Sequence, residues 1–391
     1  MWRITTKKTI MATTQTKEII GWVSPMAIHP GEFLSETLGE YSLTQAELSE
    51  RIGISKKVIN EIIKGKNPIT SSTAYKLSKV FPVSPDYWIN LQKSYEADKA
   101  RFEEQSRLET EGVNFLPHFK ETYKELSLIG CASGLKWTQK MFGEITSELQ
   151  KFFGVDSLAY VENNTMQFAF RKYERDNLNH YTLAAWLRVG KNKAQKMEVA
   201  VFDEEKLKAM LGELRHLSLK EPEEYLPKIE KLLASCGIVV AYTPKMKNIH
   251  VQGACSWITK DKVLLMLNTS KRNEGNFWFN LFHELGHILL HSKKEVFVDM
   301  DNSATSDIEK EADNFSEKRL IPDYKSTHEK FIRKYTSSDN LEKAIAETAK
   351  EDGISTAVLA GRLTKEYKTQ QNIYKVMSQF LPTKINYQNV C

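Results

Sequence analysis

Large apolar residues fill almost every position from Phe277 to Leu290, which predicts a helix that is buried on all sides. The titratable exceptions within this stretch are His283, Glu284 and His287. Burying such groups without compensation costs several kcal/mol, so the pattern requires a partner that satisfies them. This helix is therefore the first place in the chain where we expect chemistry.

The spacing of these polar residues suggests what the partner is. His283 and His287 are four positions apart and share one helical face, so both imidazoles can bind one metal ion. Glu284 sits beside them, where a carboxylate can take a proton from an attacking water. Gly286 costs about 1 kcal/mol relative to alanine inside a helix, which indicates that another element passes closely over this turn. The alternative is a core helix with histidines at chance positions, since HExxH occurs in unrelated chains.

A second helical pattern begins at Asp307 and can supply the third ligand that a zinc site needs. Glu309 and Asp313 are again four positions apart on one face. Glu309 can bind the metal, while Asp313 can accept the free N–H of a ligand histidine. Glu311 points about 200° away around the helix and is the weaker candidate for a ligand.

Three further polar side chains lie near these helices in the sequence. His291 lies one turn beyond His287, but three histidines from one straight helix cannot surround one ion, so we interpret it as a local polar contact. Tyr324 and His328 follow the second helical pattern. They are candidates by position only for stabilising negative charge on a substrate.

Both helices and the strand patterns upstream resemble the ImmA/IrrE family of metallopeptidases, whose signature reads HElGH, then ExEAxxFA, then Leu-x-Pro. The chain departs from this signature at Ser316, where alanine is usual. The resemblance implies a zinc site with His283, His287 and Glu309 as ligands and Glu284 as the general base. It also implies a function, because relatives cleave helix-turn-helix repressors to release stress or mobile-element genes.

The upstream strands bear on how a peptide substrate would bind. Residues 237–243 predict a buried strand, and residues 254–258 and 262–267 flank a short polar turn, which predicts a hairpin. Metallopeptidases of this kind commonly align a peptide as an added strand on a sheet edge. The sequence does not say which strand supplies that edge, and a hairpin that merely packs on the helix is equally compatible.

The chain from Leu43 to Lys66 predicts two short helices joined by a tight turn. Thr44 with Glu47 three residues later forms a capping box for the first helix, and Gly53 ends it. We expect the small Ala46 to lie where the two helices cross.

The second of these helices follows Ser55 and has two faces. Its apolar residues face inward: Val58, Ile59, Ile62 and Ile63. Its polar residues face outward and suit phosphates and base edges in a major groove. A small helical bundle with lysines on a solvated face is the alternative. The DNA-binding residues that we predict are Thr44, Gln45, Ser55, Lys56, Lys57, Asn60, Lys64 and Lys66.

The segment from Ile28 to Gln92 resembles the Xre-type helix-turn-helix of HigA and VapI antitoxins, which open with His-Pro-Gly-Glu and close with Trp-x-Asn-Leu-Gln. This resemblance implies that Gln45 anchors to the DNA backbone. It also implies base reading at the positions of Lys56, Lys57 and Asn60, and packing at Trp88, Leu91 and Gln92. Proteins of this type bind operator DNA as dimers, so we expect a homodimer.

Bulk properties agree with an intracellular protein of several domains. The chain has 391 residues and a net charge of +5, too mild to indicate nucleic-acid binding without the local basic face. Its 4 cysteines form no CxxC pair, so we expect free thiols in a reducing cytoplasm. No apolar run is long enough for a membrane span, and the first 22 residues do not resemble a signal peptide.

The predicted fold class is mainly α with a small β-sheet (α+β). Residues 1–24 are predicted to be a disordered extension, 25–100 the helix-turn-helix domain, 101–225 a helical linker or middle region, and 226–391 the zinc metallopeptidase domain. Within the linker, residues 105–116 are polar. Residues 341–363 predict two short helices that could pass for a second helix-turn-helix, but the second helix lacks exposed basic residues, which favours a packing role.

These features together predict a DNA-binding regulator with a zinc endopeptidase domain that cleaves itself, a partner repressor or a toxin. The expected cofactor is Zn²⁺ and the expected partners are double-stranded operator DNA and a protein substrate. The alternative is a non-catalytic antitoxin or autorepressor that uses the zinc fold as a sensor or a protein-binding module.

Overall fold

The computed structural model describes residues 26–163, 179–243, 246–249, 251–268, 274–291, 297–300, 307–338 and 340–367. The predicted disordered extension, residues 1–24, lies outside them. The chain divides into two compact units, Met1–Leu108 and Glu109–Cys391.

The first unit is a bundle of helices around an apolar core. The helices are α1 (Pro30–Glu40), α2 (Gln45–Ile52), α3 (Lys56–Ile63), α4 (Ser71–Leu77) and the start of α5 (Pro85–Leu128). Trp88 is fully buried in this core. The side chain of Gln92 accepts a hydrogen bond from the backbone of Ile69 at 2.9 Å, so both residues hold α5 in the bundle, as predicted.

The His-Pro-Gly-Glu segment forms the start of α1, and contacts of its His and Gly residues explain why. His29 caps the helix, and its Nδ1 atom accepts a hydrogen bond from the backbone of Gly31 at 2.9 Å. A Cβ atom on Gly31 would lie 1.9 Å from the carbonyl oxygen of Ile62 in α3. Only glycine therefore allows α1 to approach α3 this closely.

The turn between α2 and α3 forms as predicted, with one exception. Thr44 and Glu47 form the capping box, and Gly53 ends α2 in the left-handed region at φ 61°. Ala46, however, is exposed rather than placed at the helix crossing. The small residue at the turn is Ser49, whose hydroxyl donates to the carbonyl of Ile54 at 2.7 Å. The prediction therefore placed the small residue of α2 at position 46, about one helical turn before Ser49.

The second unit is built on a sheet between two layers of helices. Its strands are β1 (Ile238–Thr243), β2 (Val251–Thr259), β3 (Lys262–Asn268) and β4 (Phe297–Met300), in the order β1-β3-β2-β4. β1 is parallel to β3, and the other neighbours are antiparallel. The predicted hairpin is therefore β2–β3. The first helices of this unit are the rest of α5, α6 (Phe142–Phe153), α7 (His180–Lys196), α8 (Glu204–His216) and α9 (Pro222–Ala234).

The remaining helices follow the strands in the sequence. They are α10 (Glu274–Leu290), α11 (Asp307–Leu320), α12 (Tyr324–Ser338), α13 (Leu341–Glu351) and α14 (Thr356–Glu366). Alternate residues of the strands face two separate clusters. One cluster contains α10 with α8, α9, α13 and α14, and the other contains the end of α5 with α6 and α7. Every residue of β1 is buried, as expected for a strand covered on both faces.

The crossing of α10 and α11 explains two residues of the sequence. A Cβ atom on Gly286 would lie 3.3 Å from the Cα atom of Ala312, so the predicted close approach at Gly286 comes from α11. Ser316, which stands where the family signature has alanine, is fully buried and donates its hydroxyl to the carbonyl of Phe279 at 2.8 Å. The departure from the signature therefore adds a hydrogen bond between the two helices.

The region predicted as a linker is largely part of the second unit. Residues 105–116 lie inside the continuous helix α5, and Trp186 of α7 is fully buried against the sheet. The polar composition of residues 105–116 is typical of a linker or a frayed helix, but these residues belong to a continuous helix. The pair α13 and α14 packs on α10 through buried residues of α14, in agreement with a packing role.

The cysteines only partly follow the prediction. Cys236 and Cys255 are free and buried. Cys131 is disulfide-bonded, so the prediction of a free thiol was wrong there. The absence of a CxxC pair excludes a disulfide between cysteines close in the sequence, but it does not exclude one between distant cysteines. None of the helices in the described residues combines the length and apolar character that a membrane span requires.

Candidate metal centre

Three side chains of α10 and α11 converge on one point. The Nε2 atoms of His283 and His287 lie 3.0 Å apart. The Oε2 atom of Glu309 is 3.1 Å from the first and 3.4 Å from the second. Both histidines are buried, and all three potential ligand atoms lie within 4.8 Å of one another. The spacing predicted from the sequence therefore places the three expected ligands together.

Asp313 contacts His283 on the ring nitrogen that points away from the cluster. Its Oδ1 atom lies 3.0 Å from Nδ1 of His283. A carboxylate accepts hydrogen bonds, so it fixes the proton of His283 on Nδ1 and leaves the lone pair of Nε2 pointing at the cluster. The contact has the geometry expected from the sequence, and the role of Asp313 toward a metal ligand stays a prediction.

His291 and Glu311 also belong to the site. The Nδ1 atoms of His287 and His291 are 2.9 Å apart, and Nε2 of His291 is 3.2 Å from Oε2 of Glu311. His291 thus makes a local polar contact with His287, in agreement with the sequence analysis, and a second contact with Glu311. Glu311 lies behind His291 rather than within the cluster of ligand atoms.

Burial and mutual hydrogen bonds shift the pKa values of His287 and Glu309 in the cluster. Burial lowers the pKa of His287, which favours the neutral imidazole. Burial alone would raise the pKa of Glu309, but hydrogen bonds and charge interactions with the two histidines outweigh it and lower the pKa to about 2. A single proton can bridge only two of the three converging atoms. Two imidazole nitrogens and a carboxylate oxygen that converge in this way fit Zn²⁺, which can contact all three.

Glu284 lies on the same helix and faces the sheet. Its side chain is fully buried, and a Cβ atom on Gly253 of β2 would lie 2.3 Å from Oε1 of Glu284. Gly253 therefore leaves the space that this carboxylate occupies. The sequence analysis missed Gly253, because only the folded chain brings β2 against α10.

Tyr324 and His328 contact the end of α14. The hydroxyl of Tyr324 donates to Glu366, and Nε2 of His328 is 2.7 Å from the hydroxyl of Tyr367. Burial raises the pKa of Tyr324. Neither residue is among the side chains that contact the metal cluster in the described part of the chain. Both are accounted for by packing between α12 and α14.

The strand order identifies the edges of the sheet, where a peptide could add as a further strand. β1 and β4 lie at the edges of the sheet in the described residues, whereas β2 and β3 are internal. Of the strands considered from the sequence, only β1 therefore provides an edge. The other edge, β4, has no strand pattern that we recognised.

The predicted DNA-binding residues lie on α2, on α3 and in the turn after α3. Thr44 and Ser55 cap the two helices with their hydroxyl groups. Gln45 is the first residue of α2 and is half-buried, as is Asn60. The lysines are exposed: Lys56, Lys57, Lys64 and Lys66. The first unit thus presents a basic surface around α3.

Comparison with known proteins identifies both units. A helix-turn-helix family model matches residues 35–88, and a model described as the IrrE N-terminal-like domain matches residues 234–364. Virulence-associated protein A' of Dichelobacter nodosus is 34% identical over 95 residues, which are 22% of this chain and 83% of that protein. Virulence-associated protein I of the same bacterium is 36% identical over 81 residues, 20% of this chain and 75% of that protein.

A solved structure also matches the first unit. It is an addiction module antidote protein of the HigA family from Coxiella burnetii, 33% identical, covering 22% of this chain and 92% of that chain with a TM-score of 0.21. Through its N-terminal unit, the chain belongs to the helix-turn-helix family that includes the two virulence-associated proteins, and it carries an IrrE N-terminal-like domain in its C-terminal unit. Both resemblances noted from the sequence, and the α+β fold class, are confirmed.

The metal content of two matched variants tests the ligand assignment. We expect the purified protein to hold about one zinc ion per chain, measured by mass spectrometry of the metal. Glu309→Gln removes the anionic ligand and should lose the zinc, whereas Glu311→Gln makes the same chemical change outside the cluster and should retain it. The opposite result would mean that Glu311, and not Glu309, is the ligand.

Proposed function

We propose that the protein is a cytoplasmic transcriptional regulator that binds operator DNA as a homodimer and whose C-terminal unit is a zinc-dependent endopeptidase. The peptidase cleaves this chain itself, a partner repressor or a toxin, and so switches stress, toxin–antitoxin or mobile-element genes. The observation that carries the proposal is the convergence of His283, His287 and Glu309 with Glu284 buried beside them.

The chemistry proposed for this site follows from what each residue can do. Zinc, when bound, supplies a Lewis acid that polarises a scissile carbonyl and activates water. Glu284 takes the proton of the attacking water and then passes it to the leaving amine. The surroundings of Glu284 favour this role, because its carboxylate occupies the space left by Gly253 and is buried from bulk solvent.

The helix-turn-helix unit explains why a peptidase of this kind would control genes. Its exposed lysines and Asn60 on α3 suit phosphates and base edges. Binding to an operator would hold the peptidase where repressors or antitoxins of the same type also gather. The resemblance to the ImmA/IrrE family implies cleavage of helix-turn-helix repressors, so another such domain is the substrate class that we favour.

The DNA side of the proposal predicts a loss of specificity in α3 variants of the full chain. Lys57→Ala or Asn60→Ala should reduce discrimination between the protein's own promoter and random duplex by about 1–3 kcal/mol, because a base contact is lost. Lys93→Ala removes the same charge from an exposed position on α5 and is the control. Equal weakening on both DNAs would show that Lys57 and Asn60 contact only phosphates.

The peptidase side predicts that Glu284→Gln separates proteolysis from DNA binding. Glutamine keeps the shape of the side chain and leaves the ligands in place, so zinc content and operator affinity should not change. Removal of the base should slow proteolysis by about 10²–10⁴-fold. In cells with a reporter fused to the operon, the variant should repress normally but fail to respond to DNA damage or phage infection.

The same reporter distinguishes the proposal from a non-catalytic regulator. Normal induction of the Glu284→Gln strain, under a signal that induces the wild type, would exclude a proteolytic switch. A His283→Ala strain provides a second comparison, because it lacks a metal ligand as well as the ordered site. Induction in the Glu284→Gln strain but not in the His283→Ala strain would indicate that the metal serves a sensor.

A further inference from the structure

His291 links the ligand His287 to a carboxylate at the protein surface. Its Nδ1 atom is 2.9 Å from Nδ1 of His287, on the ring edge opposite to the one that faces the metal cluster. Its Nε2 atom is 3.2 Å from Oε2 of Glu311. The side chain of His291 is only 7% exposed, whereas that of Glu311 is 62% exposed. A row of three side chains thus runs from the surface to the ligand.

The hydrogen-bonding capacity of each group fixes where the protons lie along this row. The carboxylate of Glu311 accepts, so Nε2 of His291 donates. A neutral imidazole carries one proton, so Nδ1 of His291 has a lone pair and accepts from Nδ1 of His287. His287 is then left with its lone pair on Nε2, the atom that faces His283 and Glu309.

We infer that His291 is a positioning residue for the ligand His287, as Asp313 is for His283, and that Glu311 sets the proton position of His291. The inference rests on the metal site of the proposed function, but it does not depend on proteolysis. Each ligand histidine then has its own acceptor: a carboxylate from α11 for His283 and, for His287, the imidazole of the residue that follows α10. Groups that orient metal ligands in this way typically change metal affinity about 10–100-fold when they are removed.

Zinc affinity of the full chain, measured by competition with a chromogenic chelator, tests this role. His291→Leu fills the buried space but removes the acceptor, and we expect it to weaken zinc binding by about 10–100-fold. His291→Asn places an amide oxygen close to the position of Nδ1, so it can still accept from His287 and should stay close to the wild type. Asp313→Leu gives the size of the effect at the other ligand.

A role in packing alone would give the opposite order, because leucine suits a buried site better than an amide does. Wild-type affinity in His291→Leu would therefore overturn the inference. Complete loss of zinc in both His291 variants would also overturn it, because His291 would then be a ligand itself. If His291→Leu does not fold by circular dichroism, His291→Phe keeps the ring shape without either nitrogen and should show the same weakening.

The zinc affinity of the wild-type chain distinguishes a failure of this inference from a failure of the proposed metal site. A wild-type chain that binds no more zinc than His283→Ala would refute the metal site, and the positioning role with it. Zinc binding by the wild type, with the expected order of the His291 variants, supports the inference even if no peptidase activity is found.

Discussion

The second unit depends on one constraint: the titratable side chains buried in the apolar helix α10 must have partners for their polar atoms. α10 packs against the sheet and the helices α11 and α14, so His283 and His287 are almost fully removed from bulk solvent. Most of their hydrogen-bonding partners must therefore come from the protein, and the proposed metal ion would supply the rest. Glu309 and Asp313 supply the protein part from α11, and a divalent cation is the group that can satisfy the converging atoms together.

This arrangement is possible because small residues allow helices and strands of the second unit to approach one another closely. Gly286 lets α11 cross α10 near Ala312, which brings Glu309 within reach of both histidines. Gly253 leaves room on β2 for the carboxylate of Glu284. In the first unit, Gly31 plays a comparable part where α1 meets α3. Packing and chemistry are therefore coupled, because a Cβ atom would clash at Gly31 and Gly253 and would make a tight contact with α11 at Gly286.

The parts of the structure that the sequence predicted are those that depend on local spacing. Positions four apart on a helix place His283 with His287 and Glu309 with Asp313, and the capping box at Thr44 marks α2 directly. Contacts between distant segments were not predictable in this way. Gly253, the edge strand β4 and the burial of the supposed linker all depend on tertiary packing. The partner of His291 also required the fold, since Glu311 faces it only once α11 has crossed α10.

Thermal unfolding of the full chain with and without zinc tests the central claim, that the buried cluster is a divalent metal site, most directly. A ligand that binds only the folded state at 100 times its Kd stabilises it by about 2.7 kcal/mol. Zinc added to the chelator-treated protein should therefore raise the Tm by several degrees, and the same addition to His283→Ala should not. An unchanged Tm in the wild type, or an equal rise in His283→Ala, would contradict the account.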